Sequence, residues 1–137
     1  MTQRKARTVS YLSRDGILAA KDMETEDVDV PAWGGRVRVR GMTGSERDAF
    51  EAALLNNKGQ ADKRYLLNFR AKLVVLCVVD EEGNRLFADA DVGLLGKKSA
   101  SAIELVFDVA RRLSGMSQAD VEEMEANLSE TPGDGSS

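Results

Sequence analysis

The side chains that most often carry catalysis are scarce in this chain. It contains no histidine, so the commonest general base and the commonest zinc ligand are both missing. Its single cysteine, Cys77, lies inside an apolar run with no histidine to activate it. This setting is typical of a buried small hydrophobic side chain rather than a nucleophile. We therefore predict that the protein is not an enzyme and uses no cofactor.

Two further segments resemble ligand sites but lack what such sites require. Segment 96–99, Gly-Lys-Lys-Ser, has the composition of a phosphate-binding loop, but an additional lysine interrupts the Gly-Lys-Ser order. Position 91, where the motif needs its earlier glycine, is aspartate. The acids of segment 80–91 lack the alternating ligand spacing followed by glycine that a calcium loop needs. We interpret them as a turn and a helix N-cap, and we predict no metal site.

Four aromatic or aliphatic residues are the candidates for contact with a partner protein. Trp33 is the only tryptophan and lies at a predicted turn, where an aromatic side chain is often an interface anchor. The alternative, which the sequence favours slightly, is that Trp33 packs into the core. Within the run 85–95, we expect the apolar side chains mainly to pack into the domain, or else to form part of a partner groove. The predicted partner-binding residues are Trp33, Phe87, Leu94 and Leu95.

Segment 27–40 is predicted to form a β-hairpin. Valines at 28, 30, 37 and 39 alternate with charged residues, which is the period of two half-buried strands. The Pro-Ala-Trp-Gly-Gly sequence between them is typical of a turn. One strand carries acids and the other carries arginines, so antiparallel pairing sets opposite charges across from each other. We expect the valines on one face and the ion pairs on the other.

Helices dominate the remainder of the predicted fold. Capping-box patterns at Thr43–Glu46 and Ser101–Glu104 predict two helix starts, and a short helical turn is expected between Asp89 and Gly96. The β-branched stretch Leu73–Val79 also fits a buried strand, but the helical periodicity that begins upstream favours helix. The longer predicted helices cover about 44–56, 62–79, 101–114 and 117–127.

The expected fold class is α+β, a mostly α-helical single domain with an N-terminal β-hairpin. We place a flexible basic N-terminus at 1–14, the globular domain at 15–128, and a disordered acidic tail at 129–137. The chain has 137 residues, of which 42% are hydrophobic and 31% charged, enough to bury the core of one domain.

Charge and hydropathy limit the partners. The net charge of -4 argues against non-specific attraction to nucleic acid or to an anionic membrane surface. No apolar run approaches the ~20 residues needed to span a bilayer. A single cysteine fits a reducing compartment. We therefore predict a cytoplasmic protein with neither nucleic acid nor membrane as a partner.

Taken in order, three segments of the chain resemble the tail assembly chaperones of long-tailed bacteriophages and prophages. The similarity runs from about Ile17 to Met124. The residues that carry it are Val30-Pro31-x-Trp33-Gly34-Gly35-x-Val37-x-Val39-Arg40-Gly41-Met42-Thr43-Gly44-x-Glu46-Arg47-Asp48, then Asp80-Glu81-Glu82-Gly83-Asn84-Arg85-Leu86-Phe87, then Asp91-Val92-x-Leu94-Leu95-Gly96-x-Lys98-Ser99.

The resemblance implies a non-enzymatic protein that acts in the host bacterial cytoplasm and is not expected in the mature virion. Such proteins bind the long, hydrophobic tape-measure protein and keep it soluble while the major tail protein polymerises around it. In that family a programmed ribosomal frameshift often adds a second, C-terminally extended product. Self-association is a further interaction that we consider.

Two other classes of function stay open at this point. One is a structural tail component such as a tail terminator or a head-tail connector. The other is a small DNA-binding regulator, since a two-stranded ribbon carrying arginines can enter a major groove. The expected acidic partners of Arg36, Arg38 and Arg40 and the net negative charge weigh against DNA binding.

Overall fold

The computed structural model describes residues 10–55, 58–59 and 67–129. In chain order the elements are α1 (Arg14–Ala19), β1 (Thr25–Val30), a 3-10 turn (Pro31–Trp33), β2 (Gly35–Arg40), α2 (Gly44–Ala52), α3 (Phe69–Cys77), β3 (Val78–Val79), a second 3-10 turn (Asp89–Asp91), α4 (Val92–Leu95), α5 (Ala100–Leu113) and α6 (Gln118–Ser129). The α+β class predicted from the sequence is confirmed.

The predicted β-hairpin is present, and β1 and β2 pair in antiparallel orientation. Asp27 stands opposite Arg38, and the two valines 28 and 37 face each other between the charged pairs. The 3-10 turn joins the strands, and Gly34 follows it with a φ of 80°, a left-handed conformation that glycine adopts without strain. Arg40 departs from the expected ladder, because the uncharged Thr25 stands opposite it.

The prediction that the second long helix continues to Val79 is wrong at its C-terminal end. The helix ends at Cys77, and Val78–Val79 forms a third strand that pairs with β2 in antiparallel orientation. Both valines are buried, and β-branched side chains favour the extended backbone of a sheet. At the other end α3 begins at Phe69, after Asn68 in a left-handed conformation. Residues 62–66 of the predicted helix lie outside the described residues.

Local capping chemistry sets the start of α2 as predicted. The hydroxyl of Thr43 accepts a hydrogen bond from the Glu46 amide, and the Glu46 carboxylate accepts one from the Thr43 amide. This is the reciprocal capping box. The helix ends at Ala52, earlier than the predicted 56, and position 56 itself lies outside the described residues.

The starts of the last two helices follow the same logic with one correction. The N-cap of α5 is Ser99 rather than the predicted Ser101, because the Ser99 hydroxyl accepts the hydrogen bond from the Ala102 amide. At α6, Ser117 and Asp120 exchange side-chain to backbone hydrogen bonds, as expected for a helix beginning there. This helix continues through Ser129, the first residue of the predicted tail, and positions 130–137 lie outside the described residues.

The core lies between the sheet and the two helices α3 and α5. Helix α5 packs against α3 on one side and against β1 and β2 on the other. Three phenylalanine rings form a chain through this region, with centroids 5.5 Å apart between Phe50 and Phe69 and 5.8 Å apart between Phe69 and Phe107. Such tilted ring pairs add to the stabilisation that comes from apolar burial.

The first helix differs from the others because none of its residues is buried. It begins at Arg14, inside the segment 1–14 that the sequence assigned to a flexible N-terminus, and positions 1–9 lie outside the described residues. The division of the chain into an N-terminal segment, a domain and a tail therefore stays a prediction. Over the ranges that the structure describes, no helix is both long and apolar enough to cross a membrane.

Candidate partner-binding groove

The four residues predicted as partner contacts line one open groove. Trp33, Phe87, Leu94 and Leu95 surround a space of about 500 Å³, together with Ala32 and Lys98. The residues come from two distant parts of the chain, the turn of the hairpin and the run that includes α4. The fold therefore brings together side chains that sequence reasoning singled out separately. We name this space the Trp33 groove.

Trp33 contributes to the core and to the groove at the same time. It lies at the end of the 3-10 turn, where the Gly34 amide donates a hydrogen bond of 3.0 Å to the Pro31 carbonyl. The indole is half-buried and packs against the core, and it also lines the groove. The indole therefore contributes to the core, as the sequence slightly favoured, and its role as an interface anchor stays a prediction.

A set of short-range hydrogen bonds holds the run that forms the other wall. The Leu86 amide donates to the Val78 carbonyl at 3.0 Å, which ties the start of the run to β3. The Arg85 guanidinium binds Asp89 at 2.8 Å, and the Ala88 amide donates to the Asp91 carboxylate at 2.9 Å. These contacts fix the 3-10 turn that leads directly into α4.

The two leucines of α4 play different parts in the groove. Leu95 is 6% exposed and belongs to the core, so it forms the floor. Leu94 is 65% exposed and stands at the side. Phe87 is half-buried and packs against the core. An exposed leucine beside half-buried aromatic rings is a surface that gains free energy when another apolar surface covers it.

A second open groove of about 620 Å³ adjoins the first. Leu67, Phe69 and Ile103 supply apolar lining, and Lys98 lines both grooves. At the far end Arg70 binds Glu104 and Glu125, each at 2.7 Å, and its guanidinium lies 5.1 Å from the centre of the Phe107 ring. We name this space the Arg70 groove.

Lys98 is the residue of the site that sequence reasoning missed. In the sequence analysis, segment 96–99 was rejected as a phosphate-binding loop and contributed to the family resemblance, but it was not considered a contact site. The structure places this segment between α4 and α5, and Lys98 lines both grooves. The available signal was a lysine pair directly between an apolar turn and the Ser99 N-cap. That signal becomes informative only when the fold shows which surface the lysine borders.

The described groups with strongly shifted pKa values lie outside both grooves. The Arg40 guanidinium and the backbone amide of Thr43 lower the pKa of Glu46 to about 2. Burial raises the pKa of the Cys77 thiol to about 11, so the thiol stays protonated and unreactive near neutral pH. Across residues 10–55, 58–59 and 67–129, no group of three or more potential ligand side chains is placed to hold a metal ion. Both grooves are lined by apolar side chains, with Lys98 in each and the Arg70 ion pairs in the second.

An α+β domain with open apolar grooves beside half-buried aromatic rings has the surface of a protein-binding module. A comparison with known families finds a match to the phage tail assembly chaperones over residues 14–127. The chain belongs to this family. No curated protein matches the sequence, and no solved structure matches the fold.

Proposed function

We propose that the protein binds the tape-measure protein of its phage in the host bacterial cytoplasm and keeps that partner soluble. We also propose that the protein promotes polymerisation of the major tail protein around the tape-measure protein. It acts without catalysis and is absent from the mature virion. The observation that carries the proposal is the Trp33 groove in a member of the tail assembly chaperone family.

The groove suits an amphipathic helix. A helix that lays its apolar face into a hydrophobic groove is a common mode of peptide recognition. Leu94 and Trp33 both offer apolar surface to the groove. Each square ångström of apolar surface that a partner buries contributes about 25 cal/mol to the free energy of binding. A long helical partner presents many apolar stripes, so several copies of a weakly binding chaperone can cover it together.

The charge of the chain supports the same role. Proteins with a net charge near zero tend to associate and precipitate. Each bound copy of this chain adds a net charge of -4, which helps to keep a complex with an apolar partner in solution. In the hairpin, Arg38 binds Asp27 at 2.9 Å and Arg36 lies 3.3 Å from Asp29. These cations already have acidic partners, so they do not favour the DNA-binding alternative.

Replacing Leu94 with serine tests the proposal most directly. Leu94 is exposed, so Leu94→Ser should leave the free energy of unfolding within about 0.5 kcal/mol of the wild-type value. It should weaken binding to tape-measure protein by about 1.5 kcal/mol or more at each site. The measurement is co-expression with the tape-measure protein of the same phage, followed by solubility and co-purification. Trp33 is a poorer probe, because its truncation would also remove core packing.

Leu86→Ser is the matched control. Leu86 is 54% exposed but lies outside the Trp33 groove, so this variant should retain the partner in the soluble fraction. A wild-type chain that neither solubilises nor co-purifies with tape-measure protein would overturn the proposal. If the chain is found in purified virions, the structural alternative, a tail terminator or head-tail connector, would be the better description.

The proposal extends to a second gene product. A programmed ribosomal frameshift near the end of the gene would give a longer form that shares the domain described here. A slippery heptamer in the coding sequence and two products of different mass in infected cells would support it. A single product, the same before and after mutation of the heptamer, would contradict it.

A further inference from the structure

We propose that the Trp33 groove and the Arg70 groove act as one trough for a helix of the partner, and that Lys98 selects helices with an acidic residue beside their apolar stripe. This inference rests on the proposed function, since it names the chemistry of the segment that the chaperone would bind. It assigns a specificity-determining role to a residue that has no other evident function in the fold.

The two grooves meet at a shared lining residue. Lys98 lines both of them, and Leu95 on the floor of one is adjacent in sequence to Gly96 in the other. The trough runs from the turn of the hairpin, past the end of α4, to the first half of α5 at Ile103. Each groove has apolar lining residues in addition to Lys98, so a helix that occupies both grooves would contact this side chain.

The junction that carries Lys98 is tightly packed. A Cβ atom at Gly96 would collide with the side-chain amide oxygen of Asn68, which precedes α3 in a left-handed conformation. The Lys98 amide also donates a hydrogen bond of 3.0 Å to the Leu95 carbonyl. The backbone hydrogen bond places the start of the lysine side chain, and the exposed flexible stem lets the ammonium group reach an acid on a bound partner.

The charge balance of the trough points to an acidic residue on the partner. The acids at the far end, Glu104 and Glu125, both bind Arg70. Lys97 and Lys98 are exposed, and neither forms an ion pair with any residue in the described part of the chain. Lys98, the cation that lines both grooves, is thus without an acidic partner among the described residues, although the chain as a whole is negatively charged.

An apolar helix in the trough would remove water from around the Lys98 ammonium group. That loss costs free energy unless the partner supplies an acceptor, and a carboxylate supplies the strongest one. Complementary charge at an interface acts chiefly on specificity, because an unpaired or like charge in the same position is penalised. A helix with glutamate or aspartate next to its apolar stripe should therefore bind in preference to one with lysine there.

The test measures binding of overlapping tape-measure peptides, each about 20 residues and long enough to form an isolated helix. The wild-type chain should bind best those peptides that carry an acid beside an apolar stripe. Lys98→Glu should weaken the best of these by about 5-fold or more, and Lys98→Met, which keeps an apolar stem, should weaken it less. Lys21→Glu is the matched control for net charge, because Lys21 lies outside both grooves.

A charge exchange makes the assignment specific. Replacing the acid of the best peptide with lysine should weaken binding to the wild-type chain and restore binding to Lys98→Glu. Equal affinities for Lys98→Glu and Lys21→Glu would overturn the role of Lys98 while leaving tape-measure binding intact. If no tape-measure peptide binds even the wild-type chain, the proposed function itself fails, and this inference fails with it.

Discussion

At the residue scale, the contact between Arg40 and Glu46 fastens the hairpin to the helices. The two guanidinium nitrogens of Arg40 bind the two carboxylate oxygens at 2.8 and 3.0 Å, and one of them also donates to the Leu76 carbonyl at 3.0 Å. The Arg40 side chain is only 15% exposed. Glu46 meanwhile accepts a hydrogen bond from the Thr43 amide. One carboxylate thus joins β2, the start of α2 and, through Arg40, the end of α3.

Neutralising Glu46 should lower stability in a pH-dependent way. The folded-state pKa of about 2 lies below the ordinary value of 4.5, so the carboxylate stabilises the fold fully above about pH 4.5. This stabilisation is lost as the pH falls through about 2. Near neutral pH, Glu46→Gln should reduce the free energy of unfolding by about 1–3 kcal/mol, as expected when a charge-assisted hydrogen bond is removed. Urea unfolding from about pH 7 to about pH 2 measures the effect.

Glu82→Gln is the control, since Glu82 is exposed and lies in a turn away from this contact. It should change stability by less than about 0.5 kcal/mol. The interpretation would be wrong if Glu46→Gln matched the wild type near neutral pH. It would also be wrong if the difference between the two proteins stayed constant down to about pH 2.

At the scale of elements, the sequence predicted the features that neighbouring residues determine, such as the hairpin and the start of α2. The hairpin followed from alternating valines and charges, and the start of α2 followed from its capping box. A strand was considered for Val78–Val79 but helix was preferred, which is wrong because pairing with β2, distant in sequence, decides the conformation there. The groove residues were predicted as two separate features, Trp33 and the run 85–95. Their common site with Lys98 depends on the fold, which brings the hairpin turn and α4 to the same groove. The hydrophobic periodicity of the sequence does not predict which distant segments line the same groove.

The junction between β2 and the end of α5 depends on a missing side chain. A Cβ atom at Gly41 would collide with the backbone carbonyl of Leu113, and backbone cannot yield as a flexible side chain can. Nearby, the Met42 amide donates a hydrogen bond of 2.9 Å to the Ser114 hydroxyl. Gly41→Ala should therefore lower the free energy of unfolding by about 1–3 kcal/mol or more, as overpacking does. Chemical denaturation measures it.

Gly44→Ala separates this effect from the general cost of replacing glycine. Gly44 begins α2 and has no atom within 4 Å of an added Cβ, so alanine there should be neutral or stabilising by about 0.5–1 kcal/mol. If both variants shift stability alike, the close approach of β2 to the end of α5 does not limit residue 41.

At the scale of the whole molecule, α1 contributes no buried residue to the core. No residue of this helix is buried, and Ile17 and Leu18 are among its exposed large apolar side chains. Exposed apolar residues near each other favour association with a further surface. We therefore expect Ile17 and Leu18 to contribute to the self-association considered in the sequence analysis.

Replacing both residues with serine should reduce self-association and leave the fold unchanged. Ile17→Ser with Leu18→Ser removes apolar surface from α1 but no core contact, so the melting temperature should stay within about 1 °C of the wild-type value. Sedimentation velocity over a range of concentrations measures the oligomeric state. Association that is equally strong in this variant would show that α1 does not mediate it.

Because Cys77 is buried, the rate at which its thiol is labelled can report local unfolding of the protein. The thiol is fully enclosed at the end of α3, directly before the strand Val78–Val79, and it is the only sulfhydryl in the chain. A thiol-specific dye can therefore reach it only after the junction between helix and sheet has separated. The labelling rate of the wild-type chain therefore measures how often that separation occurs. It can be compared with and without a partner bound in the trough.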